Sequence, residues 1–168
     1  MKKLILMRHA KSGWDNPDQK DFNRELNKRG IRNAPEMGLR LKEKNWPVDL
    51  VVSSLATRAK HTAQLVCAAY GYPEKEIDYR IDVYEAQIND LKQVLQSIED
   101  TASSVLLIGH NPGMSYFADY LANCGHINLP TAGMIYMHLD IKTWKELKPG
   151  CGKLVEFDFP KRDPFDND

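Results

Sequence analysis

Two stretches, Leu4-Ile5-Leu6-Met7-Arg8-His9 and Val105-Leu106-Leu107-Ile108-Gly109-His110, decide how this chain reads. Each is an unbroken apolar run bounded by polar residues, the pattern of a strand buried on both faces. Each run ends in a histidine. In an open α/β sheet, ligands bind just beyond the carboxyl ends of the strands. The two histidines are therefore expected at one site, although they lie far apart in sequence. A third run, Leu50-Val51-Val52-Ser53-Ser54, leads to Arg58. Two histidines and two arginines at one sheet edge point to a dianion, most simply a phosphoryl group.

Outward from these runs, strands and helices alternate. The first strand is expected over 2–8. Residues 11–26 are polar, contain Gly13 and Pro17, and read as a loop over part of the site. A helix fits 27–45, capped by Asn27, with Ile31, Ala34, Met37, Leu39 and Leu41 as its apolar face. After a second strand over 49–54, Thr57 is expected to cap a helix over 58–70 that stops near Gly71. A short strand fits 76–81. Asn89 or Asp90 then starts a helix to about 99, along which Leu91, Val94, Leu95 and Ile98 recur at helical spacing. The strand over 104–109 follows, then a helix from Asn111-Pro112 to about 123, with proline at the favoured first position. Late strands are expected at 133–139 and 153–159. The alternation predicts a three-layer α/β/α sandwich around a largely parallel, mixed sheet.

The chain has 168 residues, 42% of them apolar, enough for one ordinary core. We read residues 1–160 as a single domain and 161–168 as a polar tail. Lys plus Arg and Asp plus Glu number 23 each, so the formal net charge is zero. That balance argues against a general binder of nucleic acid or membrane surfaces. Cys67, Cys124 and Cys151 form no CxxC pair and fit reduced thiols in a cytoplasmic protein. The start, Met1-Lys2-Lys3 followed by four apolar residues, is too short for a signal peptide and is interrupted by Arg8. The expectation is a protein that acts without nucleic acid or membrane.

His9 alone would be read as a capping histidine; Arg8 beside it changes the balance. A guanidinium offers a rigid fork of donors to phosphate oxygens. It also disfavours protonation of a neighbouring imidazole, which keeps a lone pair for attack. Activity is therefore expected to fall at acid pH, with the arginines holding that fall below the free-histidine value of about 6.5. His110 precedes Asn111-Pro112-Gly113, a strand-to-helix turn whose free N–H groups favour an anion. Arg58 is a cation at a helix start, electrostatically misplaced unless an anion binds there.

With these residues in place, the chain resembles the histidine phosphatase (phosphoglycerate mutase-like) superfamily. Arg8-His9-Ala10-Lys11-Ser12 is similar to the family's first motif. Ser53-Ser54-x-x-x-Arg58-Ala59-x-x-Thr62-Ala63 is similar to its second, and Gly109-His110-Asn111-Pro112 to its third. The short length and the Arg-His-Ala-Lys-Ser form most resemble the SixA-like branch, associated with protein phosphohistidine. The resemblance implies that His9 is the nucleophile and forms a phosphohistidine intermediate. It implies that Arg8, Arg58 and His110 bind the transferring phosphoryl. This set is chemically sufficient without a metal or other cofactor. The implied substrate is protein phosphohistidine, with a small phosphomonoester next and a non-catalytic phosphate- or phosphoprotein-binding module as the rival. A mutase would need an enclosed site that the chain has little sequence to build.

The resemblance is incomplete at one point. Glu85, in Val83-Tyr84-Glu85-Ala86, lies where many family members place a carboxylic acid for the leaving group, but its surroundings match poorly. It is a candidate general acid or substrate contact. An imidazole leaving group needs such an acid less, because it already carries a proton near neutral pH. Lys11, Ser12, Asn111 and Thr131 are candidate substrate-binding residues, and Trp14, Asp15 and Asn16 are candidates for the entrance. His61 reads as a surface residue. His126 and His138 have no partners at metal-ligand spacing, and no GxxxxGK[ST] loop exists.

Overall fold

A computed structural model describes residues 1–161. Beyond Lys161, the polar tail read from the sequence lies outside the described residues. Six strands form one sheet: β1 (Lys2–Arg8), β2 (Leu50–Ser54), β3 (Asp78–Arg80), β4 (Ser104–Gly109), β5 (Met134–Leu139) and β6 (Gly152–Asp158), in the order β3-β2-β4-β1-β5-β6. β1, β2, β3 and β4 are mutually parallel; β5 runs antiparallel to β1, and β6 to β5. Among the described residues, four α-helices complete the expected sandwich: α1 (Lys28–Glu43), α2 (Thr57–Tyr70), α3 (Ile88–Gln96) and α4 (Gly113–Ala122).

The apolar runs are continuous because both faces of the central strands are covered. Leu4, Ile5, Leu6 and Met7 are all fully buried. Their side chains alternate. Leu4 and Leu6 join Val105, Leu107, Ile135 and Met137 in one core, closed by Leu91, Val94 and Leu95 of α3 and Phe117 and Leu121 of α4. Ile5 and Met7 join Leu106, Ile108, Met134 and Tyr136 in the other, closed by Ala34, Met37 and Leu41 of α1 and Ala59, Ala63 and Val66 of α2.

Several boundaries differ from the sequence reading. Ile31 and Leu39 belong to the solvent side of α1, at 45% and 51% exposure. α1 buries Gly30, Asn33, Ala34, Met37, Gly38 and Leu41, a stripe that leaves Ile31 and Leu39 outside. Thr57 is the first residue of α2, not its cap. Ala56 holds the cap position, and its N–H donates to Ser54 Oγ at 3.2 Å. α3 begins earlier than expected: Gln87 is its cap, and Asp90 accepts from the Gln87 N–H at 2.8 Å, so its carboxylate serves the helix from inside the first turn. Pro112 holds the cap position of α4, whose first helical residue is Gly113, one place later than expected. The strand expected over 76–81 is only Asp78–Arg80, flanked by 3-10 turns at Glu74–Glu76 and Ile81–Val83. The 11–26 loop contains a 3-10 turn at Asp21–Asn23 and a bridge between Ser12 and Leu26.

Other signals held. The Asn27 side chain accepts from Gly30 N–H at 2.9 Å at the start of α1. Gly71 ends α2 at φ 103, in the left-handed region that favours glycine. Among the described residues no helix is long and apolar enough to cross a membrane.

α1 and α2 meet where Gly38 has no side chain. A Cβ there would stand 2.6 Å from Val66 O and 2.9 Å from Ala69 Cβ. The Gly38→Ala variant should therefore lose about 1–3 kcal/mol through forced separation of the helices, outweighing the gain in helix propensity of about 1 kcal/mol. Urea unfolding would check this; a variant more stable than the parent would mean the two helices yield freely.

Candidate active site

Parallel pairing sets the first distance in the site. Arg8 stands opposite Gly109 in the β1–β4 register, and His9 N–H donates to Gly109 O at 3.0 Å. The next residue of each strand is a histidine, and the His9 and His110 rings lie 5.1 Å apart between centroids. α2 enters from the adjacent strand. Thr62 Oγ1 accepts from Ala10 N–H at 3.0 Å and donates to Arg58 O at 2.7 Å. That one hydroxyl ties the backbone after His9 to the helical turn that carries Arg58.

His9 is buried, with 6% of its surface exposed. Its Nδ1 lies 2.7 Å from Ala10 O. A carbonyl only accepts, so Nδ1 carries the hydrogen and Nε2 the lone pair. Arg58 Nε–H donates to that lone pair at 3.3 Å. Both contacts require a neutral ring. The pKa of His9 is accordingly pushed down to about 3, first by burial and then by His110, with Arg58 and Arg8 adding smaller effects against the opposing Ala10 hydrogen bond. The arginines act as the sequence suggested, but burial leads. His110 is likewise pushed down to about 3, by burial and then by Arg58. Its Nε2 lies 2.8 Å from Ser54 Oγ, while its Nδ1 is buried without a partner.

The rest of the Arg58 guanidinium is taken by Asp21, a residue that the sequence did not single out. Arg58 Nη1 donates to Asp21 O at 2.7 Å and Nη2 to Asp21 Oδ2 at 3.1 Å. Tyr84 Oη donates to the same oxygen at 2.6 Å, and Arg24 Nε lies 3.2 Å from Oδ1. Burial raises the pKa of Asp21, but the Tyr84 and Arg58 hydrogen bonds and the arginine charges outweigh it and keep the carboxyl ionised. Tyr84 is pushed up to about 12, by burial and by Asp21. Arg24 stacks over the Trp14 ring at 3.6 Å from its centroid, which joins the expected entrance residue to the cation cluster. Nothing periodic in residues 11–26 marks Asp21 or Arg24. The loop's approach to α2 makes them relevant.

A pocket of about 270 Å³ is lined by Arg8, His9, Lys11, Ser12, Trp14, Arg24, Arg58, His110, Asn111 and Thr131. The structure thus brings nearly all the sequence candidates together. Arg8 Nη1 donates to Leu129 O at 3.1 Å. The Asn111 side chain is occupied internally: Nδ2 donates to Leu129 O, and Oδ1 accepts from Ser115 N–H and Oγ–H. Thr131 precedes Ala132, whose N–H donates to both Arg8 O and His9 O at 3.1 Å and whose φ of 62 is unusual for alanine. Glu85 is exposed and lines an adjoining groove, not the pocket around His9. Asp15 and Asn16 are outside the pocket lining. His61 is half-buried on α2, and His138 stacks on Trp46. Among the described residues, no three His, Cys, Asp or Glu side chains form a group able to hold a metal ion.

The family model of the histidine phosphatase superfamily (branch 1) matches residues 4–101. An uncharacterized protein of Mycobacterium tuberculosis strain H37Rv is 31% identical over 166 residues, covering 92% of this chain and all of the relative. A 2,3-bisphosphoglycerate-dependent phosphoglycerate mutase of Bradyrhizobium sp. is 30% identical over 97 residues, 52% of this chain and 44% of the mutase. Among solved structures, the protein histidine phosphatase SixA complexed with tungstate superposes with a TM-score of 0.81 at 21% identity, over 94% of this chain and 96% of that one. A SixA protein from Agrobacterium tumefaciens gives 0.79 at 25% identity, over 95% and 99%.

The two histidines make stability depend on pH. In the unfolded chain they bind protons near 6.5; in the fold they do so only near 3. Between those values the unfolded state holds more protons, so stability should fall as pH drops through this window. Each ring contributes up to about 1.4 kcal/mol per pH unit. Urea unfolding at pH 7 and pH 5 should show this loss in the parent and a smaller loss in a His9→Asn, His110→Asn double variant. Equal losses would assign the acid sensitivity to other groups.

Proposed function

The chain belongs to the histidine phosphatase superfamily, and from that premise we propose that it hydrolyses protein phosphohistidine through a phosphorylated His9, without a metal. Phosphatase chemistry comes with the family and its SixA-like fold. The observation that carries the finer reading is the fixed tautomer of His9: Nδ1–H on Ala10 O and the Nε2 lone pair toward Arg58. A neutral, oriented imidazole amid guanidinium groups is equipped for in-line attack on phosphorus.

In the first step the bond from phosphorus to the donor ring breaks as a bond to His9 Nε2 forms. A donor ring protonated on its other nitrogen leaves as neutral imidazole. Arg58 shifts its Nε–H from His9 to a phosphoryl oxygen, and Arg8 and Arg24 balance the remaining charge. With Ser54 Oγ–H donating to His110 Nε2, the His110 hydrogen sits on Nδ1, the unpartnered atom that a phosphoryl oxygen would satisfy. In the second step water attacks phosphorus and His9 Nε2 is released with free phosphate. Asp21 is a positioning residue that aims Arg58. Lys11, Ser12 and Thr131 border the phosphoryl, and Asn111 holds the turn after His110. Glu85, standing in the groove, suits contact with the leaving group's surroundings more than proton transfer at the scissile bond. A donor protein needs an open approach, which the wide groove next to the pocket supplies.

The test is phosphate release from a phosphohistidine-bearing protein in the presence of a chelator. The parent should release phosphate and carry an acid-labile phosphoryl group after rapid quenching; His9→Ala should do neither. Arg58→Ala should lower kcat/KM by about 10²–10³-fold, as for loss of one preorganised charge-stabilising donor. Turnover by His9→Ala, or loss of the parent's activity in chelator, would sink the proposal.

A further inference from the structure

The pocket around His9 opens into a groove of about 810 Å³ that shares Arg58, His110 and Asn111 with it. The groove has two walls. α4 buries Met114, Phe117, Ala118 and Leu121 in the core. Its other side presents Pro112, Tyr116 and Tyr120, spaced four residues apart and so on one helical stripe, and all three line the groove. Facing them are Tyr84, Ala86 and Ile88, from the turn before α3 and its first residue. Tyr84 also packs edge-on against His110, with ring centroids 5.4 Å apart, so this wall runs directly into the site. Tyr116 is 53% exposed although it lines a concavity, so its ring remains available to a partner.

We infer that this groove binds the polypeptide flanking the phosphohistidine, seating an apolar or aromatic side chain of the donor protein between Tyr116, Tyr120 and Ile88. The inference rests on the phosphohistidine reading above. Its argument is continuity: with phosphorus at His9 Nε2, the donor's remaining atoms leave the small charged pocket past Arg58 and His110, where the groove begins. An imidazole ring fills only a small part of that volume, and a small phosphomonoester would leave the tyrosine stripe uncovered. Rigid aromatic side chains at the centre of a concave surface supply large contact area at low entropic cost. Asp21 and Glu85 are the charged side chains on the walls besides Arg58. They oppose acidic residues in the flanking segment and favour neutral or basic ones.

The experiment uses the full chain and two synthetic peptides with a chemically phosphorylated central histidine. One carries leucine and phenylalanine within two residues of it; the other carries serine at those places. Phosphoramidate, a P–N donor with no flank, is the control. The parent should prefer the apolar-flanked peptide by about tenfold in kcat/KM. Tyr116→Ala, which removes a ring from the groove and none from the pocket around His9, should erase that preference and leave phosphoramidate hydrolysis unchanged. Equal parent rates on both peptides, or a preference that survives in Tyr116→Ala, would overturn the groove assignment and leave the phosphohistidine reading standing. Hydrolysis of phosphoramidate with neither peptide attacked would overturn both.

Discussion

Parallel, in-register pairing of β1 with β4 is the constraint on which the rest of the site depends. Arg8 opposite Gly109 puts the residue that follows each strand at the same height on the sheet edge. A slip of one residue would exchange the two faces of β1 and expel Leu4 and Leu6 from their core. Both faces are apolar, so the fit of these side chains in their two cores holds the register, and the register fixes the distance between His9 and His110. The two cores on either side of the sheet therefore set the geometry of the site as well as stability.

The second constraint is electrostatic. Arg8, Arg24 and Arg58 converge on one small pocket with two neutral imidazoles. Such a cluster opposes folding through mutual repulsion and desolvation. Asp21 offsets part of this by bridging Arg58 and Arg24 and accepting from Tyr84. The compensation is partial, as expected where positive charge is kept for a ligand. A phosphoryl dianion placed there would complete the balance that a single carboxylate leaves unfinished. Asp21 sits in the 3-10 turn of the 11–26 loop, not on the sheet, so the group that balances the cations comes from outside the strand ends.

In the proposed reading the pocket and the groove would divide recognition between them. The pocket is small and cationic, lined by strand ends together with the 11–26 loop and Arg58 of α2. The groove is larger and is lined by the turn before α3 and by one side of α4, with Ala86, Ile88 and Tyr120 also packed against the core.

The sequence by itself determined the central strands, the alternation with helices and the four residues at the sheet edge. Continuous apolar runs such as Leu4–Met7 are legible because burial on both faces admits little else, and His9, Arg58 and His110 follow strands at fixed offsets. It misplaced what depends on neighbours. Ile31 and Leu39 fit an apolar face until α2 is seen to cover α1 on a narrower stripe through Gly38. Asp21, Arg24 and Tyr84 lie in segments with no period, and only the approach of the 11–26 loop to α2 and to the turn at Ile81–Val83 brings them to Arg58. The tautomer of His9 was also beyond the sequence, since it rests on the direction of the Ala10 carbonyl. Local pattern reports which surfaces must be buried; tertiary packing alone decides which polar atoms then meet.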